Sequence, residues 1–165
     1  MTKKAVLISI RPKWCELIVN GKKTVEVRKT RPILEPPFKC YVYCTQPKRP
    51  YDDFISFVAE DGEVGFFGGG KVIGEFVCDA IFPILVEYSD PESRLALREF
   101  PFTCLTDKQI MDYLGNGKKG CAWHISDLKI YDTQKKLSKF SLKRPPQSWC
   151  YVEDLGDKIA NKEET

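Results

Sequence analysis

A short run of polar residues near the start of the chain carries the side chains best suited to chemistry. Thr24, Glu26 and Arg28 alternate with two valines, which predicts a β-strand with one polar face. A carboxylate and a guanidinium then project side by side. The guanidinium can bind a phosphate or a base edge, and the carboxylate can accept a hydrogen bond from a base or activate water. A plain salt bridge on the sheet face is the alternative interpretation.

Lysines and arginines surround this strand. Lys23 can stabilise an anion or a developing oxyanion if the strand borders a cleft, whereas a solvated turn lysine is the simpler interpretation. The other basic residues nearby are candidates for phosphate contacts rather than for chemistry. These are Arg11, Lys13, Lys22, Lys29 and Arg31.

Aromatic, histidine and serine side chains provide further candidates for a binding site. Trp14 can stack on a base. Trp123 can do the same, but it lies on an apolar strand face, which favours a position in the core. His124, the only histidine, falls on the opposite face, where it can line a cleft and carry protons, although a lone histidine is more often structural. Ser9, at the end of the first predicted strand, is a weaker candidate.

The charge distribution points to a polyanionic partner. The net charge is only +3, yet residues 1–31 hold nine Lys/Arg and two Glu, a net of +7. Residues 52–99 hold three Lys/Arg and eleven Asp/Glu, a net of −8. A basic segment of this kind is typical of proteins that bind RNA or DNA. Ordinary solvated lysines remain an equal alternative on charge alone.

Cysteine usage and hydropathy limit the class of protein. Seven cysteines, an odd number that lies mostly in apolar runs, indicate reduced and buried thiols. With a single histidine and no paired zinc motif, we expect no metal and no cofactor. No apolar run reaches membrane-spanning length, and no secretory signal is recognisable. We therefore expect a cytoplasmic protein without a membrane partner.

The elements that position these residues follow from periodicity and turn residues. The first part of the chain predicts strands at 5–10 and 38–45, with a helix from Pro12 to a glycine turn and the polar strand between them. Residues 46–70 are predicted to form a long connection between two strands, which we call the excursion. A short helix is expected around 54–58, and the glycine-rich end at 66–70 predicts a flexible hairpin or lid.

The second part of the chain alternates strands with helices. We expect a strand at 71–82 that continues to 88, and a helix from Asp90 that ends before Pro101. A capping box at 106–109 begins another helix, and a strand at 121–125 is followed by a bulge near 126–127. The tail docks through Trp149, Tyr151 and Val152, while residues 156–165 are expected to be disordered.

These elements predict an α+β fold. Five or six short strands are interleaved with helices, and the strand patterns fit a small, mixed, partly closed β pseudo-barrel better than a doubly wound parallel sheet. We expect one domain over residues 1–155, with the excursion at about 46–70 inserted in it.

The segment from Gly21 to Arg28 reads Gly-Lys-Lys-Thr-Val-Glu-Val-Arg and resembles the Gly-x-Lys-x-x-Glu-x-Arg signature of ASCH (activating signal cointegrator homology) domains. Leu-Ile-Ser-Ile-Arg-Pro at 7–12 and Cys-Ala-Trp-His-Ile-Ser-Asp-Leu at 121–128 resemble the bacterial and phage branch. The resemblance spans about residues 4–132. It implies a PUA-like pseudo-barrel of five to six strands with surrounding helices, a cleft beside the first helix, and binding of RNA or a modified nucleotide.

The resemblance also implies two possible activities. Some small ASCH proteins are amidohydrolases that remove the acetyl group from acetylcytidine with a lysine, a threonine and a glutamate, and another is a ribonuclease. The family lysine falls on Lys23, but the position of the threonine nucleophile falls on Glu26, and Thr24 lies two residues earlier. Glu99 is the nearest counterpart of the third residue.

Two hypotheses follow. In the first, the chain is a binding module that holds RNA, DNA or a modified nucleotide with the residues named above: Ser9, Arg11, Lys13, Trp14, Lys22, Lys23, Thr24, Glu26, Arg28 and His124. In the second, it is a hydrolase in which Lys23 and Glu26 are catalytic. Because a carboxylate is not the same nucleophile as a threonine hydroxyl, we rank binding above catalysis.

Overall fold

A computed structural model of the chain describes residues 2–46, 55–58, 62–67, 69–85, 103–115 and 118–159. In these residues, ten regular elements follow one another. They are β1 Lys4–Ile10, α1 Pro12–Val19, β2 Val25–Arg28, β3 Phe38–Cys44, β4 Ile55–Val58, β5 Val64–Phe67, β6 Lys71–Leu85, α2 Asp107–Leu114, β7 Lys119–Lys135 and β8 Trp149–Glu153. Short 3₁₀ helices occupy Leu137–Phe140 and Gly156–Ile159.

Six of the strands form one mixed sheet in the order β2-β7-β6-β3-β1-β8. Only the β1–β3 pair is parallel, because α1 and β2 lie on the connection between these two strands and return the chain to the same end. The other neighbours pair antiparallel. The predicted α+β class and the mixed sheet of up to six strands are confirmed.

The sheet is curved, but no ladder of backbone hydrogen bonds between described residues joins its first strand to its last. Its two edges are β2 and β8. Side chains join these edges: the indole N–H of Trp149 in β8 donates to Thr30 Oγ1 at 3.0 Å, just after β2, and Arg28 reaches Ser148. The predicted partly closed barrel is therefore an open sheet whose edges are bridged by side chains.

Both faces of β1, which lies between β3 and the edge strand β8, are buried. Ile8 and Ile10 point into the larger core cluster with Trp123, while Ala5 and Leu7 pack on the other side with Phe140. A third cluster lies between β2, β7 and α2. Apolar burial on this scale is the main stabilising contribution to such a domain.

The bulge predicted in β7 is confirmed. Glu75 pairs with Lys129, whereas Val77, two residues on, pairs with Ser126, so β7 carries one extra residue here. Asp127 adopts a φ of 46° at this point. Since the bulge restores the pairing, the strand continues to Lys135 instead of ending near 125.

Helix starts follow the predicted pattern, but one excursion segment differs. Pro12 occupies the first turn of α1, and Thr106 and Gln109 form the capping box of α2. The helix expected around 54–58 is wrong for Ile55–Val58, which is a strand paired with β5. The hairpin or lid predicted at 66–70 stays a prediction, since residue 68 lies outside the described residues. The expected helix from position 90 and the candidate Glu99 lie outside the described residues.

Residues 149–159 are more ordered than their composition suggests. β8 pairs antiparallel with β1, as the expected docking of the tail requires. Residues 156–159, expected to be disordered, form a 3₁₀ helix that buries Ile159, which is 3% exposed. A single apolar residue in a polar tail gives no periodic signal, which explains why sequence reasoning missed it.

All seven cysteines are free, and four of them are buried. Burial raises the pKa of the Cys15 and Cys40 thiols well above their usual value and that of Cys78 to about 12. These thiols are therefore protonated and poor nucleophiles. Within the described part of the chain, no helix is long and apolar enough to cross a membrane.

We predict that Ile159→Ala lowers the free energy of unfolding by about 2–5 kcal/mol, because it opens a cavity in the core. Its exposed neighbour Lys158 provides the control, since Lys158→Ala is expected to change stability by no more than about 0.5 kcal/mol. Urea unfolding of both variants measures the difference. Equal midpoints would show that this turn contributes nothing to the core.

Candidate functional site

A cavity of about 750 Å³ opens between α1, β2, α2 and the segment that precedes β8. Its walls come from four distant parts of the sequence. The lining residues are Ser9, Arg11, Trp14, Lys23, Glu26, Val27, Arg28, Thr45, Leu105, Gln109, Asp112, Tyr113, Gln147 and Ser148.

Glu26 lies on the cavity wall between two cations. Its side chain is 8% exposed, and its Oε1 accepts from Nε of Arg28 at 3.1 Å. Its Oε2 lies 3.4 Å from Nζ of Lys23. The alternation predicted for β2 is therefore correct, but all four residues of the strand are buried, so its polar face points into the protein. The two cations offset the cost of burying this carboxylate.

Lys23 connects three elements around the cavity. It follows the glycine turn after α1, where its backbone N–H donates to Leu17 O at 3.0 Å, and its side chain is almost fully buried. The ammonium group donates to the carbonyl oxygen of Thr103 and lies 5.4 Å from the centre of the Trp14 ring. It thereby holds the segment that leads into α2 against α1, a role beyond that of a solvated turn lysine.

The Arg28 guanidinium makes four hydrogen bonds within the protein. Nη1 donates to Ser148 O at 3.3 Å and to Ser148 Oγ at 3.1 Å. Nη2 donates to Ser9 O at 2.7 Å and lies 3.1 Å from Glu26 Oε1, which also accepts from Nε. Because a guanidinium has five N–H donors, at most one of those of Arg28 is left for a phosphate or a base. Arg28 positions the cavity walls, and the alternative of an internal salt bridge describes it better than a ligand contact.

One polar atom in the cavity wall is left without a hydrogen bond. Glu26 Oε2 is fully buried and has no hydrogen-bond partner among the described residues, although it lies beside Lys23. Buried carboxylate oxygens normally accept hydrogen bonds. Glu26 lines the cavity, so a carboxylate oxygen without a hydrogen bond lies within its wall.

The rim of the cavity combines a cation with aromatic rings. Arg11 and Trp14 line it from the start of α1, and Nζ of Lys13 lies 4.9 Å from the Trp14 ring centre. Opposite them, α2 contributes Tyr113, whose ring lies 5.1 Å from Nζ of Lys29. Side chains of these types bind phosphates and stack on bases.

The structure brings together six of the ten candidate residues at the cavity: Ser9, Arg11, Trp14, Lys23, Glu26 and Arg28. Lys13 does not line the cavity, but contacts Trp14 from outside. Lys22 and Thr24 do not line it either.

The two candidates on β7 lie away from the cavity. His124 Nδ1 contacts Asp79 Oδ1 at 2.6 Å on a partly exposed surface. Trp123 is fully buried in the core, as its apolar strand face predicts, and it packs against Phe38 and Trp149. Neither ring is placed to contact a ligand in the cavity.

Sequence reasoning missed the walls supplied by α2 and by the segment before β8. These are the walls of Leu105, Gln109, Asp112, Tyr113, Gln147 and Ser148. The capping box did identify α2, but nothing in its sequence indicates which surface it covers. Among the described residues, no cluster of three or more metal-binding side chains is present.

We predict that Arg28→Met lowers the free energy of unfolding by about 3–5 kcal/mol, because it leaves Glu26 and the partners at Ser9 and Ser148 without donors. Arg28→Lys is the matched control, since it keeps the charge but not the planar five-donor geometry. We expect it to recover less than half of the loss in a urea titration. Full recovery would mean that charge alone, and not the hydrogen-bond geometry, matters here.

The chain was compared with known proteins. Residues 8–77 match the family model of the ASCH domain. The crystal structure of ASCH from Zymomonas mobilis superposes with a TM-score of 0.63 at 24% identity, covering 89% of this chain and 86% of that one. Among curated proteins there is no match.

Two variants of the Zymomonas mobilis protein give the same TM-score and identity. One has a serine replaced by alanine and the match covers 89% of this chain and 87% of that one; the other has a tyrosine replaced by phenylalanine and the match covers 90% of both. At this identity, the structural match establishes the shared fold. The family match over 8–77 includes the segment from Gly21 to Arg28, so the resemblance to ASCH domains is confirmed.

Proposed function

We propose that the cavity beside α1 binds a nucleotide of RNA, or a modified nucleotide. The observation that carries this proposal is the buried acceptor Glu26 Oε2 in a cavity of about 750 Å³, with a cationic and aromatic rim. Pockets for small ligands usually measure about 300–1,000 Å³. The volume therefore suits a nucleoside or nucleotide better than a double helix.

In this proposal, Glu26 reads the base. The exocyclic amino groups of cytosine, adenine and guanine and the ring N–H of uracil and guanine are donors that match a carboxylate oxygen. A phosphate group is repelled by the same oxygen, so it belongs at the rim, where Arg11 lines the cavity. Trp14 supplies the stacking surface.

This division of roles differs from the one favoured by sequence alone. Arg28 holds Glu26 and Ser148 in place and Lys23 holds the segment before α2, so both cations act through the cavity walls. The phosphate contacts fall to the more exposed arginine and lysines. RNA and DNA share this chemistry, and the comparison of the two is part of the test.

We predict that wild-type protein binds a short single-stranded RNA with an affinity that falls as salt rises, because bound phosphates release counterions. Arg11→Gln should reduce the slope of log K against log salt by about 0.7, the value for one contact with a single strand. Fluorescence anisotropy of labelled RNA and of DNA with the same sequence measures both effects.

The control for this experiment is Lys118→Gln, which removes one exposed charge outside the cavity lining. It should leave the slope almost unchanged. Equal slopes for wild type and Arg11→Gln, or the absence of any salt dependence, would count against the proposed site.

A hydrolase remains the second candidate because of one observation. The unpartnered Glu26 Oε2 lies 3.4 Å from the Lys23 ammonium. A carboxylate in that position can take a proton from water, and the ammonium can stabilise an oxyanion. This arrangement would suit an acetylcytidine amidohydrolase or a ribonuclease without the family threonine.

We predict that wild-type protein binds acetylcytidine without releasing cytidine, since the threonine nucleophile is absent. Chromatography of the incubated nucleoside, alongside gel analysis of single-stranded RNA, detects product. If cytidine or RNA fragments form, and Glu26→Gln lowers the rate by about 10²–10⁴-fold while the fold is retained, the catalytic alternative is correct. Glu26→Asp keeps the charge and serves as the conservative comparison.

A further inference from the structure

A second basic surface lies next to the cavity, on the segment between β7 and β8. We call residues 136–144 the basic strap, since they contain Lys136, Lys139, Lys143 and Arg144. No Asp or Glu occurs anywhere from 133 to 152.

The four cations of the strap are available to a ligand. Three of them, at 136, 143 and 144, are exposed, and the fourth is partly exposed. Elsewhere on the described surface, lysines such as Lys39 and Lys108 form ion pairs with carboxylates. No ion pair involves any of the four strap cations within the residues that the structure describes.

The strap is anchored to the body of the protein. Phe140 is buried, and its ring centre lies 4.7 Å from that of Tyr41 in β3. Leu137 and Leu142 pack on the same cluster. Since these apolar side chains face the core, they cannot insert into a lipid bilayer, which amphipathic membrane-binding segments require. The strap therefore presents its charges from an ordered support, as suits an aqueous polyanion.

The strap leads directly into the cavity wall. Pro146 O accepts from Ser9 Oγ at 2.7 Å, and Gln147 and Ser148 line the cavity. Arg144 is three residues before Gln147, so their Cα atoms are separated by at most about 11 Å. A chain that leaves the cavity on this side meets the cations of the strap.

We propose that the basic strap binds the phosphate backbone of a single-stranded RNA whose adjacent nucleotide occupies the cavity. This inference rests on the proposed function and adds to it: the ligand is an oligonucleotide, with one base bound inside and several phosphates bound outside. A single strand fits because its bases can be splayed from one another, which a base enclosed in a cavity requires. The strap supplies affinity, and the cavity supplies selectivity.

The test compares two double variants of the full chain, each of which removes two positive charges. Lys143→Gln/Arg144→Gln alters the strap, and Lys118→Gln/Lys119→Gln is the control, since both of its residues are exposed and lie outside the strap and the cavity lining. Anisotropy of a labelled eight-nucleotide single-stranded RNA gives affinity as a function of KCl concentration. Competition by unlabelled cytidine monophosphate reports on the cavity alone.

We expect the strap variant to bind the octamer about tenfold more weakly than the wild type near 0.1 M salt. Its slope of log K against log salt should be smaller by about 1.4, the value for two contacts with a single strand. The control variant should change the slope by less than half of that. Competition by the mononucleotide should be the same in the strap variant and the wild type, because the cavity is intact.

The pattern of results shows whether the strap inference or the cavity proposal is wrong. If the strap and control variants bind the octamer alike while Arg11→Gln weakens it, the strap inference is wrong and the cavity proposal stands. If the strap variant loses RNA but Arg11→Gln and Glu26→Gln do not, the cavity proposal is wrong, and the inference fails with it. If the strap variant keeps RNA affinity but loses binding to phosphatidylserine vesicles, the partner of the strap is a membrane and the inference is overturned.

Discussion

The arrangement of the Arg28 guanidinium is the constraint on which the rest of the site depends. Three of its hydrogen bonds join β2 to the end of β1 through Ser9 and to the entry of β8 through Ser148, and a fourth holds Glu26. Of these strands, β2 and β8 are the two edges of the sheet, and no backbone ladder between described residues joins them. A single planar side chain in the cavity wall therefore links the two edge strands, a link that backbone hydrogen bonds provide in a closed barrel.

A buried charge group of this kind is costly unless each member has partners. Lys23, Glu26 and Arg28 satisfy this condition almost completely, since both cations donate to protein oxygens and Glu26 Oε1 accepts from Arg28. The exception is Glu26 Oε2. In the proposed site, this oxygen would favour ligands that donate a hydrogen bond and disfavour anions. The same three residues also join the elements around the cavity.

The sequence was sufficient for the local features and insufficient for the long-range ones. Alternation identified β2 and its polar face, proline and the capping box located the helix starts, and the phase change after Ile125 identified the bulge in β7. The sequence did not reveal that the polar face of β2 is buried. Alternation shows which residues share a face of a strand, but not what packs against that face. The sequence also could not place α2 or residues 147 and 148 at the cavity, since these contacts join segments far apart in the chain. Similarly, Ile55–Val58 has too few residues for periodicity to separate a strand from a helical turn.

The contacts between the first strand and the last segments of the sheet also matter while the chain is being synthesised. The contact between Ser9 and Pro146 spans 137 residues. A chain emerging from the ribosome exposes β1 long before its partner β8 exists, and the unpaired edge of an apolar strand invites pairing with other chains. The cavity is likewise incomplete until Gln147 and Ser148 have been made. A truncated or unfinished chain therefore carries the whole signature at 21–28, yet lacks a wall of the cavity beside it.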